Sequence, residues 1–285
     1  MSLAEYAARE GLHKVGGRPP LGAYLRDVWH RRAFVYSLAR FRIEAENGRN
    51  RLGMGWVVLK PLLNAAVYGT IFGILLGSRS RPDQFILFLV IGVFFFEFFS
   101  SCFTSGAQSI TKNASLVQSL SFPRMSLPLA LVVQRLLQFV PMVVIMIAMV
   151  IVFGTMPHWE WVLLIPLIAL FTVFNAGLTL ITARLTVHFR DLTQLLPFIS
   201  RFFFYTSGTF FSVEKRFNGN ETILKIADAQ PIHEFMELAR SVMLTGPDYV
   251  IKPEYWLYAT AWSILTLIVG TVYFWAAEER YGRTD

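Results

Sequence analysis

Four charged side chains, Lys60, Glu97, Arg135 and Arg201, stand inside stretches that are otherwise apolar. A charge kept in hydrocarbon is costly, and it either pairs with another charge or faces a polar pathway. Lys60 lies one turn into its stretch and can snorkel its ammonium back to the interface. Glu97 sits deep within the run Phe94 to Phe99, Arg135 two to three turns into its stretch, and Arg201 ahead of Phe202, Phe203, Phe204 and Tyr205. Each is either half of a structural ion pair or part of a pathway. Phe makes up 26 of 285 residues and clusters at 94–99 and 202–211. Such rings pack between helices or face lipid. The same flat faces also suit a passage for a sliding polymer, because they touch the C–H faces of sugars without gripping them.

Other chemistry lacks its residues. The phosphate-cradling pattern G-x-x-x-x-G-K-[ST] is absent, and Gly53-Met54-Gly55 is better read as a turn. The five His (13, 30, 158, 188, 233) lack metal-ligand spacing, and the lone Cys102 allows no disulfide framework. No nucleophile elbow or Ser/His/Asp set is readable. The chain is expected to be no enzyme and to bind no cofactor or metal itself.

The elements that must hold these residues are membrane spans. At 54% hydrophobic and 16% charged, the chain lies outside the soluble norm. Residues 143–152 (VVIMIAMVIV) show no polar stripe. Windows near the length of a spanning helix fall at 56–76, 85–105, 127–153, 161–182, 195–211 and 255–277. The expected fold is an all-α polytopic membrane protein with six transmembrane helices. With the N-terminus inside, the inner segments 1–55, 106–126, 183–194 and 278–285 hold 16 Lys/Arg and the outer ones seven, so both termini are expected in the cytoplasm. The same distribution accounts for the net charge of +7 without nucleic acid as a partner. The first 55 residues are too charged for a cleaved signal peptide.

Residues 1–20 read as a flexible cytoplasmic start ending in breakers. Residues 21–46 read as an amphipathic interfacial helix, with Trp29 and Tyr36 on its apolar face and Arg31, Arg32, Arg40 and Arg42 among its basic residues. Segment 111–124 carries Leu116, Val117, Leu120 and Phe122 along one edge, giving a short cytoplasmic helix that needs a partner. In the outer segment 212–254, Pro231 opens a helix with one apolar face, and 221–229 suits a second. Residues 278–285 form a short tail.

Four segments resemble the membrane subunits of ABC-2-type polysaccharide exporters, the O-antigen, capsule and teichoic acid permeases. They are RLGMGW at 51–56 leading through Lys60-Pro61-Leu62 to Tyr68 and Phe72-Gly73; NASLV at 113–117 with Phe122-Pro123-Arg124; FRDL at 189–192 with Leu195-Leu196-Pro197; and Gln230-Pro231-Ile232 leading to Ala239-Arg240 and Leu244. Ala114 and Gln230 depart from the family, which often has Pro and Asn there. Arg outnumbers Lys 20 to 6, similar to actinobacterial members that export lipid-linked cell-wall galactan.

The resemblance implies a homodimer in the bacterial inner membrane joined to two copies of an ATPase, which would hold ATP and Mg. The cargo it implies is a polyprenyl-diphosphate-linked glycan. Arg31, Arg32, Arg40 and Arg42 would guide the diphosphate. Ser115, Leu116, Val117 and Leu120, with His188, Arg190 and Asp191, would couple to the ATPase. Phe95, Glu97, Phe99, Arg201, Phe203 and Tyr205 would line the glycan path, and 213–245 would form an outer gate. Rival readings are a permease for drugs or small amphiphiles, an ATP-independent lipid-glycan flippase and a membrane glycosyl- or acyltransferase.

Overall fold

In hydrocarbon every backbone N–H and C=O must find a partner within its own segment, so apolar stretches of this length fold as helices. The computed structural model describes residues 19–48, 51–53, 55–75, 82–119, 122–217 and 219–278, which contain helices and no strand. In order they are α1 (Leu21–His30), α2 (Arg32–Asn47), α3 (Gly55–Leu75) and α4 (Phe85–Ala107), then a 3-10 turn (Thr111–Asn113) leading to α5 (Ala114–Ser119). Next come α6 (Ser126–Val152), a second 3-10 turn (Trp159–Leu163) continuing as α7 (Leu164–His188), and α8 (Leu192–Thr206). The last four are α9 (Val213–Arg216), α10 (Glu221–Asp228), α11 (Pro231–Met243) and α12 (Pro253–Trp275). Five of these, α3, α4, α6, α7 with its leading turn, and α12, are long and apolar enough to cross a membrane.

Three expected elements differ in detail. The stretch 195–211 is helical only to Thr206, because the chain turns at Gly208 with φ 72°. A Cβ at Gly208 would also meet Val213 Cγ2 at 2.9 Å. The resulting 15-residue α8 is about 22 Å long, short of the ~30 Å hydrocarbon core. The interfacial helix is two helices. Its backbone leaves the helical region at Arg31 (φ −91°, ψ 16°), whose guanidinium folds back to Asp27 at 3.1 Å. Finally, α7 runs on to His188 and takes up the first half of the predicted loop 183–194, where Arg184 stacks on the Tyr273 ring of α12 at 3.7 Å and donates to Tyr273 O.

Helix α4 is the centre of the bundle and packs on α3, α6, α7, α8 and α11. Its contacts are largely aromatic. Phe95 meets Phe139 edge-on at 5.2 Å and Phe171 at 5.5 Å, Phe98 stacks on Phe139 at 5.0 Å, and Phe171 reaches Phe235 of α11 at 4.6 Å. Offset and edge-on pairs add to the area they bury. Helices α7 and α12 make the closest pair: a Cβ on Gly270 would lie 2.3 Å from Gly177 O, so small residues set this crossing.

The two described ends of the chain meet. Tyr24 Oη donates to Glu278 Oε2 at 2.7 Å and accepts from Met125 N at 3.1 Å, while Arg124 donates from N to Glu278 Oε1 (3.1 Å) and from Nη1 to Glu278 O (2.7 Å). Trp275 Nε1 donates to Pro19 O at 2.9 Å. Beside this latch, Ile110, Val117, Leu180 and Phe274 form a second apolar cluster with Tyr24. At the opposite end the segment 207–249 covers the bundle. Lys215 pairs with Asp248 (2.5 Å) and Asp83 (3.8 Å), Gln84 Nε2 donates to Thr245 O (2.9 Å), and His158 Nε2 approaches Val242 O (3.0 Å).

Candidate functional site

Two hollows meet at Glu97. The first, of ≈140 Å³, lies where α2 passes over α3, α4 and α6, and its polar lining is Glu46, Lys60, Glu97, Ser101, Arg135 and Gln138. Arg135 presents both terminal nitrogens to Glu46, Nη1 to Oε2 at 3.3 Å and Nη2 to Oε1 at 3.2 Å. Gln138 closes the ring, accepting from Arg135 Nη1 at 2.7 Å and donating to Glu46 Oε2 at 3.2 Å. Arg135 Nε and Arg42 Nη2 are buried without a hydrogen-bond partner among the described residues. Glu97 accepts from Ser101 Oγ at 3.3 Å.

The second hollow, ≈290 Å³ and more open, runs between α3, α4 and α8, with Asn64, Tyr68, Phe96, Glu97, Arg201 and Phe204 on its walls. Tyr68 and Phe204 meet edge-on at 5.2 Å, and Phe96 lies 4.6 Å from Phe204. Ser100 and Ser200 bridge α4 to α8 at 2.7 Å. The groove therefore offers broad ring faces with a few isolated polar groups. Pro61 in α3 and Pro197 in α8 stand within the two helices that form its rims. Proline removes one backbone donor and leaves a carbonyl to find other partners.

The residues proposed from sequence divide clearly. Glu97 and Arg201 face the groove, and Arg201 makes no ion pair with a described residue. Arg135 is paired, but to Glu46 of the interfacial helix and not to another span. Phe95 (0% exposed) and Phe99 (1%) are corrected to core residues, with their rings turned into the bundle toward Phe139, Phe171 and Phe103. Phe203 lies edge-on to Phe99 at 6.1 Å, while Tyr205 is exposed beside Phe204. The sequence reading missed Tyr68, Phe96 and Phe204. Helical spacing offered a signal for Phe204 alone, which follows Arg201 by three residues on the same face, whereas Phe96 adjoins Glu97 and points elsewhere on α4.

Among the interfacial arginines, Arg31 pairs with Asp27, Arg40 with Glu44 at 3.2 Å, and Arg32 rests on Trp29 at 5.4 Å. Only Arg42 turns inward, where burial lowers its pKa, Glu46 opposes that shift and Arg135 adds to it. At the latch end Ser115, His188, Arg190 and Asp191 are exposed, Leu116 is half-buried and Val117 is buried; Leu120 lies outside the described residues.

At the opposite end, Arg240 is fully buried across Gly92. It donates to Phe88 O and Thr209 O, both at 3.3 Å, and to Glu237 Oε1 at 2.6 Å, and stacks over the Phe88 ring at 3.4 Å. Burial pulls its guanidinium below the usual range, and Glu237 pulls it back. Glu234 is buried with both carboxyl oxygens unpartnered among the described residues. Burial, then Asp228, pushes its carboxyl up to about 8.

The ABC-2 type transporter family model matches residues 36–244. The chain belongs to this family. It is accordingly a multi-pass inner-membrane protein and a permease component. It is 27% identical over 183 residues to an O-antigen export system permease protein of Myxococcus xanthus, covering 64% of this chain and 70% of the relative. A Klebsiella pneumoniae protein of the same description is 33% identical over 155 residues, covering 54% of this chain and 59% of that one. The polysialic acid transport protein KpsM of Escherichia coli is 24% identical over 254 residues, covering 86% and 93%.

Proposed function

We propose that this chain is the channel-forming subunit of an exporter that carries a polyprenyl-diphosphate-linked polysaccharide from the cytoplasm across the inner membrane. ATP and Mg would be held by a separate ATPase subunit. The observation that carries this reading is the open groove at Tyr68, Phe96, Glu97, Arg201 and Phe204, whose ring faces and sparse polar groups suit a sugar chain that must bind and release repeatedly. The O-antigen and polysialic acid descriptions of the relatives support a polysaccharide cargo. Lipid-linked galactan is the member of that class we favour, on the resemblance to actinobacterial permeases noted above.

Topology fits this reading. Thr186 of α7 bonds Ala107 O, so both helices end on one side, while the segment before α12 is tied to Asp83 on the other. That placement supports a further crossing between them, for which we propose α8 with the turn after it as the sixth. An even number of crossings agrees with the meeting of the two ends, and the Lys/Arg count favours the cytoplasm for that side. The exposed apolar residues of α8 (Leu195, Phe198, Phe202) and α3 (Leu63, Val67, Ile71) leave one side of the groove for a second copy to close. Ser115, Leu116, His188, Arg190 and Asp191 are the surface on which the ATPase would dock.

Purification of the tagged chain from its native membrane, with and without depletion of the chain in growing cells, tests the proposal. It requires a co-purifying ATP-binding subunit and accumulation of a lipid-linked glycan on the inner leaflet. Absence of both contradicts it.

A further inference from the structure

The ring formed by Arg135, Glu46 and Gln138 has a feature that a purely structural ion pair does not need. Arg135 offers its two terminal nitrogens in parallel to the two oxygens of Glu46. Two non-bridging phosphate oxygens present the same geometry to a guanidinium. Around that seat, Arg135 Nε and Arg42 Nη2 are buried donors without a described partner, and Lys60 lines the same cleft. Two cations, Arg135 and Lys60, thus face two carboxylates, Glu46 and Glu97, across the cleft, and Arg42 lies within the field of Glu46 and Arg135. Glu46 is the more exposed half of the pair, with a side chain 45% accessible against 19% for Arg135. It also belongs to the interfacial helix, whereas Arg135 and Lys60 belong to spans.

We propose that Arg135, Lys60 and the inward edge of Arg42 form a seat for the diphosphate group of the lipid carrier, and that Glu46 occupies this seat until the diphosphate displaces it. The proposal rests on the export reading above and adds a site to it. The cleft, at ≈140 Å³, is smaller than the roughly 300–1,000 Å³ of drug-sized pockets, which suits a headgroup better than a whole small-molecule cargo. It opens beside α2, where a lipid tail can stay in the bilayer, and it joins the groove at Glu97. A diphosphate seated on Arg135 therefore points its first sugar toward Glu97, a carboxylate able to accept hydroxyl hydrogen bonds. Displacing Glu46 would remove one polar tie between α2 and α6, which otherwise stay packed together, so occupancy would be reported to the interfacial helix.

The test uses the purified transporter with its ATPase subunit, farnesyl diphosphate as a short carrier and inorganic pyrophosphate as the tailless control, with binding read as concentration-dependent thermal stabilisation. Removing the competing carboxylate by Glu46→Gln is expected to lower the half-saturating farnesyl diphosphate concentration about tenfold, and Arg135→Gln to raise it about tenfold or more. Arg135→Lys, which keeps the charge and loses the fork, should fall between wild type and Arg135→Gln. Both glutamine variants lose the same ion pair, so a fold defect moves them together. Parallel weakening in both, or no shift in either, overturns the seat. Pyrophosphate binding as tightly as farnesyl diphosphate overturns a lipid source. If the binding shifts hold but no glycan accumulates on depletion, the export reading falls while the seat stands. If glycan accumulates but the shifts are absent, only the seat falls.

Discussion

Deleting one oxygen atom from the latch between the described ends should loosen that face of the bundle. Tyr24→Phe keeps the ring in its apolar cluster and removes only the hydroxyl. That hydroxyl donates to Glu278 Oε2 at 2.7 Å and accepts from Met125 N at 3.1 Å, so its loss leaves a buried carboxylate oxygen and a buried backbone donor short of a partner. Burial already raises the Glu278 pKa, and the Tyr24 and Arg124 hydrogen bonds hold it down, so removing one of them weakens the charged form. A hydrogen bond to a charged group contributes about 1.5–3 kcal/mol, and an orphaned donor costs a similar amount, partly recovered by water. We expect a loss of about 2 kcal/mol, a fall of roughly 3–4 °C in Tm for a chain of this size. A double-mutant cycle with Glu278→Gln isolates the pair, and about 1 kcal/mol or more of coupling is expected between directly bonded groups. A Tm within about 1 °C of wild type, or fully additive variants, would refute the reasoning.

Three further outcomes follow from the same geometry. Arg240→Met should release the segment 207–249, because it leaves Phe88 O, Thr209 O and Glu237 without their shared donor; a cost of about 3 kcal/mol is expected, read as faster proteolysis of that segment in purified protein. Glu234 carries a folded pKa of about 8 against an ordinary 4.5, so its protonated form stabilises the fold. That contribution is fully present below about 4.5 and is lost as pH rises through about 8; Glu234→Gln should flatten this part of the Tm–pH curve, and an unchanged curve would count against it. Arg201→Gln removes an exposed groove charge with no described ion pair and should lower glycan export ~3- to 10-fold with the protein level unchanged, measured as surface glycan per transporter.

The parts of this fold legible in the sequence were those set by hydrophobicity and by local breakers. Residues 143–152 could only be buried or lipid-facing helix, and Pro231 with its following apolar face gave α11. The 221–229 reading met a helix capped by Asn220, whose Oδ1 accepts from Ile223 N at 3.3 Å. What failed was long-range. Phe95 and Phe96 are both buried, yet only Phe96 also borders the groove, since adjacent residues on a helix point about 100° apart and the partners of α4 decide which ring reaches it. The Arg135 partner was unreadable for the same reason. Glu46 lies 89 residues away on a helix whose charges otherwise pair locally. The early end of α8 turned on a single backbone angle at Gly208 inside an otherwise apolar run.

The most direct measurement is transport itself. The purified chain, reconstituted with its ATPase subunit into proteoliposomes bearing a polyprenyl-diphosphate-linked glycan on the outer leaflet, is supplied with Mg-ATP outside and scored by loss of lectin access to the glycan. The account expects ATP-dependent protection of the glycan that disappears when either subunit is omitted. Protection without ATP, or none with both subunits present and ATP being hydrolysed, would contradict it.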